Sequence, residues 1–499
     1  MPRSPGSSSG NPIELAEDAL DGLGLPDIDG QPRRYLGADH RDEPAIPRSP
    51  TVCTGRDRYV DPDMALLVDD LDRRIIRLAL PALGTLAVEP LYVLVDTGIV
   101  GHLGTAQLGG LALAATALLV LSAASTFIAY STTQRFANRR GAGRDDEASA
   151  VGIQALWLSA LLGIPLAGAI ALLARPACIA LGGHGDVLRY GALYLRIAAL
   201  GLPFVFVALA GHGVLRAVAR LERPLVIAVI ANVANLVLEI VAVYGLHWGI
   251  AGSAWSTVFV QITAAAFYFR AMAPYLGAAR SRGPSRAELG RFMRAGRDLA
   301  LRAAAMLAAF VGATALAARV DTPTLAAHQI GVQAFSFLAL ALDALAIPAQ
   351  TFVAESLGAL DPAHAVEVGR RVTRLSVMAG SIIGAALLAV AWPLPRLFTA
   401  DPAVVHRAFG ALAVLALVQP VAGLAFGLDG VLIGAGDFRF LGRAAIGNLA
   451  AFLPVALLVV VAPSLGIIGV WIALAMWLGS RAAVNVARFR QGGWAHVRP

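Results

Sequence analysis

The sequence predicts an all-α integral membrane protein with twelve transmembrane helices in two pseudo-symmetric six-helix bundles. Three observations predict this fold: an apolar composition, a succession of long apolar runs and an internal repeat. Of the 499 residues, 57% are hydrophobic and 15% are charged, and the mean hydropathy is +0.68. A soluble domain is about 25% charged. The composition therefore excludes an ordinary soluble enzyme.

Residues 1–70 differ from the rest of the chain. This segment is rich in Pro, Gly, Ser and charged residues, so it buries too little apolar surface to offset the entropy of ordering. We predict a disordered cytoplasmic tail. Met64, which begins MALLVDDLDRRIIRLALPALG, is an alternative start of the protein.

From Ile75 onward the chain alternates between apolar runs and short polar loops. Each run is long enough to cross a hydrocarbon core, which takes about 20 helical residues. We therefore predict spans near 75–100, 107–133, 148–173, 187–215, 224–245, 250–272, 299–318, 325–354, 372–392, 404–433, 444–462 and 467–487.

The orientation of the spans follows from the arginines, since all of the 40 basic residues are arginine. One set of alternate loops carries runs such as Arg135 to Arg144 and Arg280 to Arg297, whereas the opposite loops carry only Arg175, Arg319 and Arg396. Cytoplasmic loops hold the excess of basic residues. We expect a multi-pass protein of the inner membrane with both termini in the cytoplasm.

The chain also repeats itself at a constant offset in residue number. A fixed offset, here called the repeat offset, separates Thr105, which begins TAQLGGLAL, from Thr322, which begins TPTLAAHQI. The same offset separates Pro203 from Pro420 and Gly249 from Gly466. We predict an N-terminal lobe over 71–285 and a C-terminal lobe over 286–499. Two lobes related by an axis along the membrane normal suit alternating access.

Ionisable side chains within a membrane are costly, so each is a candidate functional residue. Two spans carry polar residues at three-and-four spacing, which places them on one helical face: Glu89, Tyr92 and Asp96 in the first span, and Asn232, Asn235 and Glu239 in the fifth. Carboxyl groups that share a dry pocket cannot all stay ionised. We expect a proton site, with a small-cation site or a purely structural hydrogen-bonded contact as alternatives.

Further candidates are less specific. Pro81 and Pro90 interrupt the first span and favour bending there. In the second half, Arg302, Asp343 and Asp429 fall within predicted spans, and an Arg302–Asp343 pair is the least costly arrangement of two such charges.

Enzyme signatures are absent from the sequence. It contains no Walker A loop, no HExxH and no Asp-rich diphosphate motif, and its two cysteines, Cys53 and Cys178, form no metal-ligand pattern. We expect no enzymatic activity, no resident metal, no cofactor beyond a coupling ion (H+ or Na+) and no nucleic-acid partner.

The segment LALPALGTLAVEPLYVLVDTGIVGHLGTAQLGGLAL resembles the first two helices of the multidrug and toxic compound extrusion (MATE) family, in particular its DinF-like branch. NLVLEIVAVYGLHWGIAGSAWST, beginning at Asn235, resembles the fifth and sixth helices of that branch, and AAHQI at 326–330 is a further similar string. The likeness covers roughly residues 72–490. It implies two lobes in a V shape and cation-coupled efflux of drugs or metabolites.

The resemblance also implies roles for individual residues. Asp96 matches the first-helix acid, with Tyr92 one turn before it and Pro81 at the bending proline. Asn235 matches the fifth-helix asparagine, and Glu239 stands where relatives have aspartate. Tyr194 and Thr257 match a tyrosine of the lobe interior and a threonine near the cation, so Na+ would be held by Asp96, Asn235, Glu239 and Thr257. An asparagine pair of those relatives is replaced here by Ala208 and Leu209.

We therefore expect a monomeric antiporter that exports small organic molecules in exchange for H+, or less readily for Na+. The substrate would bind in a cleft lined by Tyr92, Tyr194 and Asn232, where aromatic faces suit a cationic ligand. A flippase for lipid-linked glycans would share the architecture but would favour a strongly cationic central cavity. A membrane prenyltransferase is the remaining alternative, and the missing acidic diphosphate motif disfavours it.

Overall fold

The structure is a computed structural model that describes residues 70–496, without the side chains of Glu89, Leu94 and Ala123. The predicted tail and the alternative start at Met64 lie outside the described residues. Every regular element between residues 70 and 496 is helical, which confirms the predicted all-α class.

Eight helices form the first half of the described chain. They are α1 (Asp70–Gly101), α2 (Thr105–Ser125), α3 (Phe127–Gly141), α4 (Asp145–Ala180), α5 (Gly185–Ala199), α6 (Leu202–Ala217), α7 (Glu222–Ile240) and α8 (Ile250–Met272). A wider π-helical turn, Val241–Gly245, extends α7 directly after Glu239.

Six helices form the second half. They are α9 (Arg286–Val320), α10 (Thr322–Gly358), α11 (Pro362–Val390), α12 (Pro402–Gly434), α13 (Phe438–Val461) and α14 (Gly466–Gln491). Ser285 caps α9, because its hydroxyl accepts a hydrogen bond from the Glu288 amide. The predicted lobe boundary falls at this cap.

The helices supply the twelve predicted spans. Within residues 70–496, eleven segments are long and apolar enough to cross a membrane individually, and the bent pair α5–α6, counted as one span, gives the twelfth. Large apolar side chains such as Leu172, Leu417 and Val461 are 81%, 72% and 80% exposed, as expected of a surface that faces lipid. The chain is a multi-pass membrane protein.

Two predicted spans are less regular than expected. The span predicted near 187–215 breaks between α5 and α6 with a 50° bend. Pro203 lies in the first turn of α6, where its missing N–H costs no helical hydrogen bond. The span predicted near 107–133 is built from α2 and α3, which meet at Thr126 and together run to Gly141.

The backbone confirms the internal repeat. Three pairs of helices begin at positions related by the repeat offset, namely Thr105 and Thr322, Asp145 and Pro362, and Gly185 and Pro402. Positive φ angles recur at the same offset, at Gly143 and Leu360, Ala219 and Gly436, and Gly249 and Gly466. Leu360 and Ala219 are not glycine, and a positive φ is uncommon for such residues, so the shared positions indicate that the two halves are copies of one folding unit.

The two halves meet near the arginine-rich loops. α3 and α10 cross at two glycines. Gly141 touches the backbone of Glu355, and Gly358 touches the backbone of Asn138. Neither glycine has space for a Cβ atom. Asn138 also donates its side-chain N–H to the Ala354 carbonyl at 3.2 Å.

An ion-pair group joins the same ends of the two halves. The Asp72 carboxyl on α1 lies 3.5 Å from both Arg371 and Arg374 on α11. Arg135 in α3 pairs with Glu288 at the start of α9. The arginine-rich ends of the two halves are therefore in direct contact.

Candidate functional site

Two carboxyl groups from distant parts of the chain lie side by side in the first half. Asp96 on α1 and Glu239 on α7 are 6% and 1% exposed, and the Glu239 carboxyl neighbours both the Asp96 carboxyl and the Ser253 hydroxyl. The three-and-four spacing that we noted on each helix accounts for this meeting, because it turns one polar stripe of each helix towards the other.

The sixth predicted span, α8, completes the group with hydroxyls. Ser253 donates to Asp96 Oδ1 at 2.8 Å. Thr257, one turn later, donates to the Ser253 carbonyl at 3.0 Å, so the Tyr92 hydroxyl, 3.0 Å from Thr257 Oγ1, is the donor of that second bond. These bonds, here called the hydroxyl chain, connect Tyr92 through Thr257 to the backbone of Ser253, whose own hydroxyl binds Asp96.

Three acceptor oxygens in this group lack a donor. Both carboxyl oxygens of Glu239 and the side-chain oxygen of Asn235 are buried without a hydrogen-bond partner among the described residues. An unsatisfied buried acceptor costs about 1–3 kcal/mol, and more when it is charged. The arrangement therefore favours a proton or a small cation between these oxygens.

The other predicted first-half residues differ in their contacts. Tyr194 on α5 is buried beside Thr257 and Ser253, so it belongs to the same cluster as Tyr92. Asn232 donates to the Ala228 carbonyl of its own helix at 2.7 Å.

α1 runs through Pro81 and Pro90 as one helix, and the Thr85 hydroxyl donates to the Pro81 carbonyl at 2.9 Å. The Glu89 side chain lies outside the described part of the chain.

The second half carries a separate buried charge cluster, and here the predicted pairing is wrong. Arg302 pairs with Asp429 at 2.5 Å, not with Asp343. Asp429 also accepts hydrogen bonds from Arg481 and, at 2.7 Å, from Asn485. Asp343 lies near these charges, but no hydrogen bond or ion pair joins it to Arg302 within residues 70–496. Asp429 has the better geometry because it receives donors from α9 and α14 together.

Sequence reasoning missed several residues of both clusters. Ser253 lies four residues before Thr257, so the helical spacing applied to α1 and α7 would have found it. Arg481 and Asn485 have the same spacing within the last predicted span. Arg135, which we assigned to a loop, is buried within α3, and Arg216 is buried in the last turn of α6. Nothing in the local sequence marks Asp72 as the partner of Arg371 and Arg374.

Known proteins resemble this chain over most of its length. The sequence model of the MatE family matches residues 81–241 and again residues 300–461, once in each half. Protein DETOXIFICATION 44, chloroplastic, of Arabidopsis thaliana is 28% identical over 86% of this chain and 84% of its own length. DNA damage-inducible protein F of Escherichia coli (strain K12) is 28% identical over 86% of this chain and 95% of its own.

A solved structure shares the fold. It is described as the outward-facing conformation of a multidrug resistance MATE family transporter of the MOP superfamily. It superposes with a TM-score of 0.77 at 21% identity and covers 87% of this chain and 98% of its own.

Proposed function

Because the chain belongs to the MatE family, whose members are efflux transporters, we propose that it is a cation-coupled antiporter. It exports drugs or amphipathic organic metabolites by alternating access, and the coupling ion is H+ rather than Na+. We further propose that it resides in the inner membrane with both termini in the cytoplasm.

The observation that carries this proposal is the contact between Asp96 and Glu239. Two carboxylates that share a buried site repel each other and lose hydration, so the doubly ionised state is disfavoured. One proton relieves both costs, and it also supplies the donor that the Glu239 oxygens lack. A proton needs no further ligands, whereas a cation bound in oxygen cages needs several at defined distances.

Coupling requires that the bound ion favours one conformation over the other. An ion shifts a conformational equilibrium only by the difference in its affinity for the two states. The cluster joins α1, α7 and α8, so a movement of α1 away from α7 separates the two carboxyls and changes the affinity for the ion. The hydroxyl chain from Tyr92 links the same movement to the space where the substrate would bind.

We predict that Asp96→Asn abolishes export, because the amide cannot take up or release a proton at neutral pH. The measurement is accumulation of a fluorescent cationic dye in cells, with and without an uncoupler. Asp186→Asn is the matched control, since Asp186 is an exposed acid of the same half, 68% exposed, and it should export normally. Full export by membrane-inserted Asp96→Asn protein would contradict the coupling role.

The coupling ion is tested in proteoliposomes with separately imposed gradients. We expect a pH gradient alone to drive export and a sodium gradient alone to leave it unchanged. Export driven only by sodium would contradict the choice of H+ and would assign the oxygens of Asp96, Asn235, Glu239 and Thr257 to Na+.

A further inference from the structure

We propose that the outer face shared by α9 and α13 binds an anionic phospholipid, whose phosphate is held by exposed arginines at the arginine-rich end of the two helices. These residues, here called the arginine patch, are Arg294, Arg297, Arg439 and Arg443. The patch is separate from the Asp96–Glu239 cluster, and the inference does not depend on the proposed efflux function.

The first argument is that the packing of α9 against α13 brings the arginines together. The helices touch where the Asp298 carbonyl lies against Gly442, too close for a Cβ atom on that glycine. As the seventh and eleventh spans, both helices begin at the arginine-rich end and run in the same direction. In two such right-handed helices, the residue before the contact on one and the residue after it on the other emerge on the same side. Arg297 and Arg443 hold these positions, and the other two patch residues lie one turn earlier on the same faces.

The second argument is that most of the charge of the patch is unpaired. Arg439 and Arg443 form no hydrogen bond or ion pair within residues 70–496. Arg294 bonds a carbonyl of its own helix at 3.3 Å. Arg297 pairs with Asp298 at 2.9 Å. The patch therefore carries a positive excess that nothing in the described chain neutralises.

The third argument is the depth of the patch in the membrane. α13 has 24 residues, which makes it about 36 Å long, and the hydrocarbon core of a bilayer is about 30 Å thick. The first turns of α13, which carry Arg439 and Arg443, therefore lie at the level of the lipid phosphates. Because Asp298 touches Gly442, Arg297 lies at the same level.

The fourth argument is the apolar surface that continues from the patch. On α13, Ile446, Leu453 and Leu457 follow Arg443 at helical spacing and are all exposed. On α9, Leu301 continues the face of the arginines and is also exposed. Charged groups at one end and an apolar wall below them match the headgroup and the acyl chains of one lipid molecule.

This surface is on the outside of the second half. Arg302 and Asn448 belong to the same two helices but lie on their opposite side, where they line the buried space around Asp429. The exposed residues of α9 and α13 are therefore directed away from that interior and towards the bilayer.

The internal repeat shows that the patch is more than the general excess of arginine on one side of the membrane. The equivalents of the four patch residues at the repeat offset are, in order, Arg77, Leu80, Glu222 and Val226. Only the first of these is basic, although both halves obey the same rule for basic loops. The second half thus concentrates charge at a helix contact where the first half does not.

An anionic phospholipid accounts for these observations together. Guanidinium groups bind phosphate oxygens through paired hydrogen bonds, and basic pockets between transmembrane helices hold anionic headgroups. A soluble phosphate would use the arginines but not the apolar surface below them. We therefore assign the site to a lipid.

The test is native mass spectrometry of the purified full-length protein in detergent, titrated with phosphatidylglycerol or with phosphatidylcholine of identical acyl chains. Each arginine beside an anionic headgroup contributes about fivefold in affinity, so the first phosphatidylglycerol should bind about tenfold or more tightly than the first phosphatidylcholine. Higher ionic strength should reduce this preference, because exposed charges are screened.

Paired variants identify the site. Arg439→Gln with Arg443→Gln should weaken phosphatidylglycerol binding about tenfold or more and leave phosphatidylcholine binding unchanged. Arg73→Gln with Arg77→Gln is the matched control, since these exposed arginines of α1 have the same four-residue spacing and no ion pair within residues 70–496. The control should bind phosphatidylglycerol nearly as tightly as the unmodified protein.

A second measurement locates the acyl chains. Phosphatidylglycerol that carries a photoactivatable group in one acyl chain should label peptides from α9 and α13 in nanodiscs of phosphatidylcholine. Labelling of these peptides should fall in the Arg439 and Arg443 double variant and persist in the Arg73 and Arg77 control.

Several results would overturn the inference. They are equal binding of the two lipids, equal weakening by the two double variants, and photolabelling that spares α9 and α13. Competition by glycerol 3-phosphate at the concentrations at which phosphatidylglycerol binds would assign the patch to a soluble phosphate instead. The segment from Glu14 to Asp29 is rich in acids and has no basic residue. If phosphatidylglycerol binds only after these acids are changed to Asn and Gln, the patch belongs to the chain's own N-terminal segment and our assignment is wrong.

Discussion

Ser253 illustrates how one side chain supports the candidate site. Its hydroxyl donates to the Asp96 carboxyl at 2.8 Å, and both residues are buried. Hydrogen bonds to charged groups contribute about 1.5–3 kcal/mol, more than bonds between neutral groups. Tyr92 and Thr257 extend the contact, but among the hydroxyls of α8 within the described chain only that of Ser253 bonds the acid directly.

We predict that Ser253→Ala lowers the free energy of unfolding by about 1–3 kcal/mol, because it leaves a buried carboxyl oxygen without its donor. The measurement is thermal unfolding of the purified protein. Ser256→Ala is the control, since that hydroxyl bonds only the Ser253 carbonyl of its own helix, and we expect its effect to stay below about 0.5 kcal/mol. Equal losses in the two variants would contradict the proposed support of Asp96.

At the scale of elements, helix ends determine where the spans begin and how they pack. Asp321 caps α10, because its Oδ1 accepts a hydrogen bond from the Thr324 amide at 2.8 Å, and its Oδ2 lies 2.7 Å from Arg407. The Thr324 amide, with Arg407 as a smaller contribution, holds the pKa of Asp321 below its ordinary value. The ionised cap therefore stabilises the fold.

We predict that Asp321→Ala lowers the free energy of unfolding by about 1 kcal/mol at neutral pH. The folded-state pKa is lowered, so the contribution is present above the pKa of the unfolded chain and is lost as the pH falls through the folded-state value. The difference between the variant and the unmodified protein should thus shrink in acid.

The measurement is unfolding of both proteins from neutral to strongly acidic pH. Asp321→Asn serves as the control, since asparagine is also a good capping residue and should recover most of the loss without the pH dependence. A loss that stays constant with pH would contradict an ionised cap.

The bend between α5 and α6 shows that the effect of a proline on a helix depends on the residues packed around it. Pro203 begins α6 after the bend, whereas Pro420, its equivalent in the second half, lies inside the unbroken helix α12. Identical residues at equivalent positions thus have different consequences. In the first half, Gly201 at the bend lies against the flexible end of the Gln261 side chain, a neighbour that the proline alone does not predict.

At the scale of the whole molecule, the crossing of α3 and α10 determines how the two halves meet. Gly141 and Gly358 are equivalent positions of the repeat, and each touches the backbone of the opposite helix. Asn138 and Glu355, the residues that they touch, are also related by the repeat offset. The crossing therefore follows the pseudo-twofold relation of the halves. If the halves rock during transport, this contact is one that must open.

We predict that Gly141→Ala weakens the contact between the halves, because the added methyl group overlaps the Glu355 carbonyl and overpacking costs about 1–3 kcal/mol. The measurement is labelling of Ser356→Cys by a membrane-impermeant thiol reagent, in a background without Cys53 and Cys178. Labelling from the arginine-rich side should become several-fold faster.

Gly168→Ala is the matched control. Gly168 is also a helical glycine, but nothing lies within 4 Å of an added Cβ atom, so labelling should keep its original rate. If the Gly141 and Gly168 variants are labelled equally fast, the crossing does not hold the two halves together.

Much of this protein was predictable from local sequence. Apolar runs predicted the twelve spans, since a segment that crosses hydrocarbon must satisfy its own backbone hydrogen bonds as a helix. The repeat offset predicted the duplicated architecture. The three-and-four spacing of Tyr92, Asp96, Asn235 and Glu239 predicted which faces of α1 and α7 are polar, because helical periodicity is a local property.

Only the tertiary structure decided which charges are partners. Asp429 rather than Asp343 receives Arg302, because α9 and α14 both direct donors towards the same face of α12. The contacts of Asp72 with Arg371 and Arg374 join residues far apart in the chain, and no pattern in the sequence relates them. Such pairings depend on the relative rotation and depth of neighbouring helices, and these are set by packing against the whole molecule rather than by the spacing of residues along one helix.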